Sequence, residues 1–473
     1  MIDKQKLYNT IDENAPEIIA LSDAIWEYAE LSMEEYKSAA YYCELLEKEG
    51  FTVERELCGI PTAFSGSFGS GSPRIGILGE FDALSGLSQV AGSTQKQSLV
   101  PGGNGHGCGH NLLGAGSFGA ALAIKKAIEA GALQGTVIFY GCPGEEGCAG
   151  KTFMARDGMF RDLDAALTWH PGSTNEVTVG SNAACMQVEY SFHGVASHAA
   201  GSPDKGRSAL DAAELMHVGV QFLREHMPPH SSVHYSITDG GGVSPNVVQA
   251  EAKTVFMVRS ETVRKAKELL HRVNNIAQGA ALMTDTQVTT RQIDGTASTV
   301  SNEALEQVMY KNMQQVPIPA YTQEELAFAQ ALHDTCPAAL PGTLSATNRD
   351  IRTFVEEKTD GGKRAMNDFI IPYVPSTMFT PGSTDVGDVS WLTPTAQFTT
   401  ATWVSGTPGH SWQNVSLGKT GIAYKGMLQA AKILAGAAAD LMESPALLEK
   451  IRKEFSKNAA EGYDCPIGKE VTF

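Results

Sequence analysis

Two short, glycine-set segments constrain this chain more than anything else in it. One is Gly102-Gly103-Asn104-Gly105-His106-Gly107-Cys108-Gly109-His110-Asn111 and the other, downstream, is Pro143-Gly144-Glu145-Glu146-Gly147. A soft thiolate, imidazoles and a carboxylate pair are the donors of a zinc- or manganese-type hydrolytic site. A fold that uses them must bring both segments to one point. The glycines permit positive φ and close approach of the backbone. In extended chain Cys108 and His110 can point the same way, which helical spacing forbids. Adjacent Glu145 and Glu146 should diverge, one toward a metal and the other toward water or substrate, the division of labour of metal-assisted hydrolysis.

Each piece alone has a blander reading. Glycine runs are usually loops, and adjacent glutamates are usually a solvated face. A Cys with a His two residues away is a poor nucleophile–base pair, because such partners are normally brought together by the fold. The glutamates, however, follow Gly135-Thr136-Val137-Ile138-Phe139-Tyr140-Gly141, which reads as a buried strand. They therefore sit at a strand's C-terminal end, where open α/β sheets place their chemistry.

At 473 residues the chain is too long for one compact core, and two domains or more are expected. Its net charge of -17 argues against nucleic-acid and anionic-membrane partners, which need a basic face. No run approaches a membrane span, and the start Met1-Ile2-Asp3-Lys4-Gln5-Lys6 lacks an apolar signal core. The cysteines at 43, 58, 108, 142, 148, 185, 336 and 465 are scattered, as reduced thiols are, and not spaced as a disulfide framework. Together these features predict a cytoplasmic protein.

Residues from about 5 to 50 read as two helices, with Ile18, Ile19, Leu21, Ile25 and Tyr28 on one face. Strands near 51–57, 63–68 and 74–78, a helix over 112–129 and strands near 137 and 165–170 make an α/β layered domain. The pattern changes after Ser181. Strands at 186–192, 232–238, 247–259 and 287–293 and helices at 207–224 and 261–280 give a βαββαβ-like order, a small α+β domain inserted into the first. The α/β pattern resumes with a strand at 397–404 and a helix at 423–442, while 316–376 reads as mixed helices and Pro-containing links. The predicted boundaries are 1–183 and 299–473 for a discontinuous catalytic domain and 184–298 for the insert.

Gly79-Glu80-Phe81-Asp82-Ala83-Leu84-Ser85-Gly86-Leu87-Ser88-Gln89, Gly105–Gly114 and Gly141–Gly147 resemble the aminoacylase/carboxypeptidase metallopeptidase family, in its amidohydrolase branch. The resemblance spans essentially the whole chain. It implies an α/β/α metallopeptidase domain with an inserted lid and dimerisation domain, and two divalent ions per subunit, manganese or zinc. It makes Cys108, His110, Glu146, His170 and His410 the metal ligands and Glu145 the general base, with the ions activating a bridging water. His198 would polarise the scissile carbonyl from a neighbouring subunit, and Asn246 and Arg259 would contact the substrate carboxylate, Arg as a planar fork and Asn as a neutral donor. His193 is expected to be structural.

The implied activity is hydrolysis of an N-acyl or N-aroyl amino acid, with p-aminobenzoyl-glutamate the leading substrate and a homodimer the expected assembly. Alternatives are a dipeptidase or general N-acyl-amino-acid amidohydrolase, a subunit active only beside a related chain, and a metal-dependent peptide-binding protein. Three departures from the branch stand out. Asn111 replaces an Asp, which puts a carboxylate partner for His110 in question. Gly144 replaces an Ala, with a small expected backbone effect. Asp385 and Asp388 both occupy the stretch where relatives carry an acidic residue behind the metals.

Overall fold

The computed structural model describes residues 2–336 and 348–473. The chain forms two compact units. The larger comprises Met1–Gly180, Val300–Met378 and Val389–Gly462, and the smaller Ser181–Thr299, Phe379–Asp388 and Tyr463–Phe473. The last two segments pack with the smaller unit and not with the larger, where the sequence reading placed them. Residues 337–347 of the 316–376 stretch lie outside the described residues.

The larger unit is built on a seven-stranded mixed sheet. Strands β1 (Thr52–Arg55), β2 (Phe64–Ser70), β3 (Arg74–Glu80), β4 (Gly135–Cys142) and β5 (Ala165–Gly172) run in the order β1-β2-β4-β3-β5, followed by Thr395–Ala401 and the short Glu176–Val177. β4, β3, β5 and Thr395–Ala401 are mutually parallel, and β1 and β2 extend the sheet antiparallel. Every residue of β4 is buried, as expected of a parallel strand covered on both faces.

Helices α1 (Lys4–Glu13), α2 (Ala15–Tyr28), α3 (Tyr36–Lys48), α4 (His110–Glu129) and Gly421–Glu443 close the core. The N-terminal region holds three helices instead of two, because α1 ends at Asn14 and Pro16 opens the next turn, where its missing N–H costs nothing. Ile18, Leu21 and Ile25 are buried as predicted, whereas Tyr28 is exposed. Gly109, at φ 76°, turns the chain into α4, a left-handed step that glycine takes without steric cost. Trp169 faces the core, where its Nε1 donates to the Leu113 carbonyl at 3.0 Å, and strand alternation turns the next residue, His170, the other way.

In the smaller unit, strands β6 (Ala184–His193), β7 (Ser232–Asp239), β8 (Glu251–Ser260) and β9 (Gln287–Thr296) form an antiparallel sheet in the order β9-β6-β8-β7. Helices α6 (Ala209–Arg224) and α7 (Val263–Thr284) belong to the same unit, and α5 (Gly150–Arg156) precedes them in the larger one. The expected βαββαβ order is present. β8 alternates buried and more exposed residues, the mark of a sheet with one packed face. The returning segments join this unit through parallel pairing of Phe379–Thr380 with Ser181–Asn182 and a Gln292 Nε2 bond to the Pro466 carbonyl at 2.9 Å.

The aromatic heart of the larger unit is built around β4, the strand that leads to the glutamate pair. Phe139, fully buried on β4, meets the rings of Tyr42, Phe64 and Phe118 at centroid distances of 5.6, 6.0 and 6.4 Å. Phe139→Ala is expected to lower unfolding stability by about 3–5 kcal/mol, measured as a shift of the urea midpoint at unchanged slope.

Candidate active site

The carboxyl ends of β3, β4 and β5 and the chain after Thr395–Ala401 all feed one region of the larger unit. β3 delivers Glu80 and then Asp82, both buried. Asp82 uses both oxygens: Oδ1 receives His110 Nδ1 at 2.8 Å, and Oδ2 receives Ser32 Oγ at 2.8 Å and the Glu146 backbone N–H at 2.9 Å. Burial works to raise the Asp82 pKa, but His110 and these donors outweigh it and hold the carboxyl at about 2. The bond on Nδ1 leaves His110 Nε2 facing the site.

The loop carrying Cys108 is fastened at several points. Gly105 pairs with Leu84, and Asn414 Nδ2 donates to the Gly107 carbonyl at 2.9 Å and the Pro408 carbonyl at 3.2 Å. Asn414 thereby joins the Cys108 loop to the loop that presents His410, itself held at φ 53°. Cys108 Sγ lies 3.4 Å from His170 Nε2, and His170 Nδ1 donates to the Pro171 carbonyl at 2.7 Å. His410 Nε2 lies 3.4 Å from Glu146 Oε2.

Three groups of potential metal-ligand atoms result, each with its atoms within 4.8 Å of one another: Cys108, His110 and His170; Cys108, Glu146 and His410; and Glu80, His110 and Glu145. Glu145 and Glu146 diverge into different groups. Cys108 and His110 each belong to two of the three. Glu146 Oε1 is buried without a hydrogen-bond partner among the described residues, and His110 Nε2 lies 3.3 Å from Glu80 Oε2. Soft sulfur, imidazole and carboxylate donors, with a buried Glu146 oxygen left unsatisfied, fit divalent ions of the zinc or manganese kind.

The same contact argues against a Cys–His nucleophile. A thiolate–imidazolium pair needs a lowered thiol and a raised imidazole. Here burial pushes the Cys108 thiol up, and burial together with His110 pushes His170 down to about 4. The dyad is tuned the wrong way for nucleophilic attack.

Four participants carried no assigned role in the sequence reading. Glu80 and Asp82 stand in a quoted motif, and their position at a strand's end is the signal that could have found them. Lys151 on α5 is completely buried, with Nζ 2.7 Å from Glu80 Oε1. Burial opposes ionisation of Glu80, yet Lys151, His110 and His170 together hold its pKa below the usual carboxylate range. Glu35, also buried, receives the Gly144 N–H at 2.8 Å.

Two expectations are corrected, and the place of a third pair is given. Asn111 leaves no gap behind His110, because Asp82 supplies the carboxylate; Asn111 itself donates to Ser22 Oγ at 3.0 Å and the Gly418 carbonyl at 3.1 Å. Gly144 is more than a minor variation. It sits at φ 68°, and a Cβ there would meet Met33 at 3.1 Å, so an Ala would be strained. Asp385 and Asp388 belong to the smaller unit, where Asp388 receives Tyr463 Oη at 2.7 Å and the Ala297 N–H at 2.9 Å.

His198, Asn246 and Arg259 also lie in the smaller unit. The structure brings the first two together: His198 bridges to Val247, and Ala199 N–H donates to the Asn246 carbonyl at 3.0 Å. Both side chains are exposed. Arg259 stands at the far end of β8, its Nε donating to Ser383 Oγ at 3.2 Å. His193 pairs with Glu251 at 2.6 Å and with Thr289.

With this geometry in view, the match to known proteins is informative. Residues 77–346 match the model of peptidase family M20/M25/M40. The chain belongs to that family and is a hydrolase. It is 43% identical over 481 residues, covering 99% of both chains, to one of the two named subunits of the p-aminobenzoyl-glutamate hydrolase of Escherichia coli (strain K12). It is 29% identical to the Xaa-Arg dipeptidase of Mus musculus, over 96% of this chain and 92% of that one. Among solved structures, the fold matches an aminobenzoyl-glutamate utilization protein from Klebsiella pneumoniae (TM-score 0.59, 17% identity, 92% of this chain and 98% of that one). It also matches the Bacillus subtilis YXEP protein, a dinuclear metal-binding peptidase of the M20 family (TM-score 0.55, 17% identity, 91% and 99%).

The buried charges carry two expectations. Asp82→Asn should weaken zinc retention by roughly 10–100-fold, the usual effect of losing a histidine's outer carboxylate, read by competition with a chelator. In the smaller unit, burial and the neighbouring Asp385 raise Asp294 to about 7, against the pull of Arg259. The folded state then holds a proton that the unfolded chain has lost, so stability falls as pH rises from about 4 toward 7. Asp294→Asn should flatten that part of the stability–pH profile, measured by urea unfolding.

Proposed function

We propose that this chain hydrolyses the amide bond of an N-acyl or N-aroyl amino acid, with p-aminobenzoyl-glutamate, the substrate in its full-length relative's name, as the leading substrate. The observation that carries the reading is the divergence of Glu145 and Glu146 into separate donor groups around Cys108 and His110. Cys108, His110 and His170 would hold one divalent ion and Cys108, Glu146 and His410 a second, zinc or manganese. Bound there, such ions supply Lewis acidity for the amide carbonyl and for water. Glu145 accepts the proton of the attacking water and passes it to the departing amine nitrogen. Asp82 keeps His110 in the tautomer that turns Nε2 inward.

His198, Asn246 and Arg259 are assigned to the substrate. Within one copy, Arg259 is eight strand residues beyond Glu251, so it lies roughly 25 Å from the His198–Asn246 turn. An N-acyl amino acid spans only a fraction of that distance. If all three serve one substrate they come from two copies, which favours a homodimer with His198 supplied in trans. The alternative assembly pairs this chain with a related second chain, an arrangement invited by the naming of its relative as one of two subunits. Thiols at all eight cysteines favour a reducing, cytoplasmic setting.

The test is release of glutamate from p-aminobenzoyl-glutamate by the purified chain alone, stripped of metal and reloaded with zinc or manganese. Metal-dependent turnover is expected, with Glu145→Gln lowering kcat by about 10²–10⁴-fold. Turnover only on dipeptides would replace the substrate assignment, and turnover only after adding a related chain would replace the homodimer.

A further inference from the structure

The segment Glu30–Glu35, between α2 and α3, runs along the site without contributing a ligand. Its contacts form a series. Glu30 carbonyl receives the Ala83 N–H at 2.8 Å, and Leu31 bridges to Ala83 in parallel. Ser32 Oγ donates to Asp82 Oδ2 at 2.8 Å. Met33, at φ 65°, lies against Gly144. Glu35 then closes the series, Oε1 on the Gly144 N–H at 2.8 Å and Oε2 on Thr62 Oγ1 at 2.9 Å. The segment is anchored behind by the Glu30 carboxylate, which receives Lys37 N–H at 3.0 Å and Ser38 N–H and Oγ each at 2.9 Å.

A carboxyl side chain buried at 0% exposure is expensive unless its oxygens are used. Both oxygens of Glu35 are used, and one of them holds the residue immediately before the glutamate pair. Gly144 is left-handed, so the direction in which Glu145 and Glu146 leave it depends on where its amide is held. A fixed acceptor at that amide fixes the departure of both side chains.

We propose that Glu35 is a positioning residue for the reaction: its grip on Gly144 sets the glutamate loop so that Glu145 faces Glu80 and His110 while Glu146 faces Cys108 and His410. This rests on the reading of Glu145 as general base. The grip is one of length more than of charge. Burial first, and then Asp82, raise Glu35 to about 8, so the side chain is largely neutral at physiological pH. A glutamine offers the same oxygen at the same reach, and its amide N–H₂ can donate to Thr62 once that hydroxyl turns. An aspartate keeps the acid but withdraws it by one methylene, about 1.5 Å.

The test compares Glu35→Gln and Glu35→Asp in the cobalt-loaded, full-length enzyme, with kcat, KM, thermal midpoint and thiolate-to-cobalt absorption measured for each. Expected for Glu35→Asp is a kcat lower by roughly 100-fold, the effect of about 1 Å of misplacement, with KM within about threefold and the thiolate–cobalt band retained, since Cys108 is held elsewhere. Glu35→Gln should keep most of kcat. Full activity in Glu35→Asp overturns the proposal. Equal losses in both variants overturn it in favour of a role for charge. A kcat that falls only in step with the folded fraction reduces Glu35 to a structural residue. Undiminished turnover in Glu145→Gln would remove the base assignment instead, whatever Glu35→Asp shows.

Discussion

The Asp82 carboxylate is the interaction on which the rest of the site depends. It lies two residues past β3, out of solvent, and ties together three parts of the chain distant in sequence: the start of α4 through His110, the glutamate loop through the Glu146 amide, and the N-terminal segment through Ser32. One group thus selects the histidine tautomer, places a ligand-bearing backbone and anchors a brace. Because its oxygens are committed to protein donors, it is poorly placed to bind metal itself. It acts on the ions only through His110, which is how an outer carboxylate tunes a ligand's basicity.

Around it the charge is distributed unevenly. Glu80 has its own internal cation in Lys151, held within the protein at 2.7 Å. Cys108, Glu145 and Glu146 bring further acidic groups close to His110. A buried negative cluster of this kind is costly in isolation. Divalent ions would relieve it, so metal affinity and the stability of this corner of the larger unit are coupled.

Much of this was legible in the sequence. The period-2 and period-3.6 patterns located most strands and helices of both units, and Cys108, His110, Glu145 and Glu146 stood out because glycine and strand-end context made their chemistry improbable as surface. His170 and His410 were found by resemblance, and their own surroundings carry little signal. What stayed hidden has a common cause. Lys151 and Glu35 read as ordinary charges at helix starts, and only tertiary packing takes them out of water. The helix break at Asn14–Pro16 is a local signal, and a proline opening a turn is enough to show it. Asp82 was visible in a motif, but nothing in one sequence says that its oxygens face His110 and not solvent.

The return of Phe379–Asp388 and Tyr463–Phe473 to the smaller unit changes how this chain can be divided. Neither unit is a contiguous stretch of sequence, and excising 181–299 would leave behind two segments of the smaller unit whose partners had gone. Removing residues 463–473 would strip Tyr463 from Asp388 and Pro466 from Gln292. The smaller unit is therefore finished only when those residues leave the ribosome, long after its sheet has been synthesised. For a chain that is exchanged or recombined between relatives, the natural exchangeable piece is the whole length and not either unit.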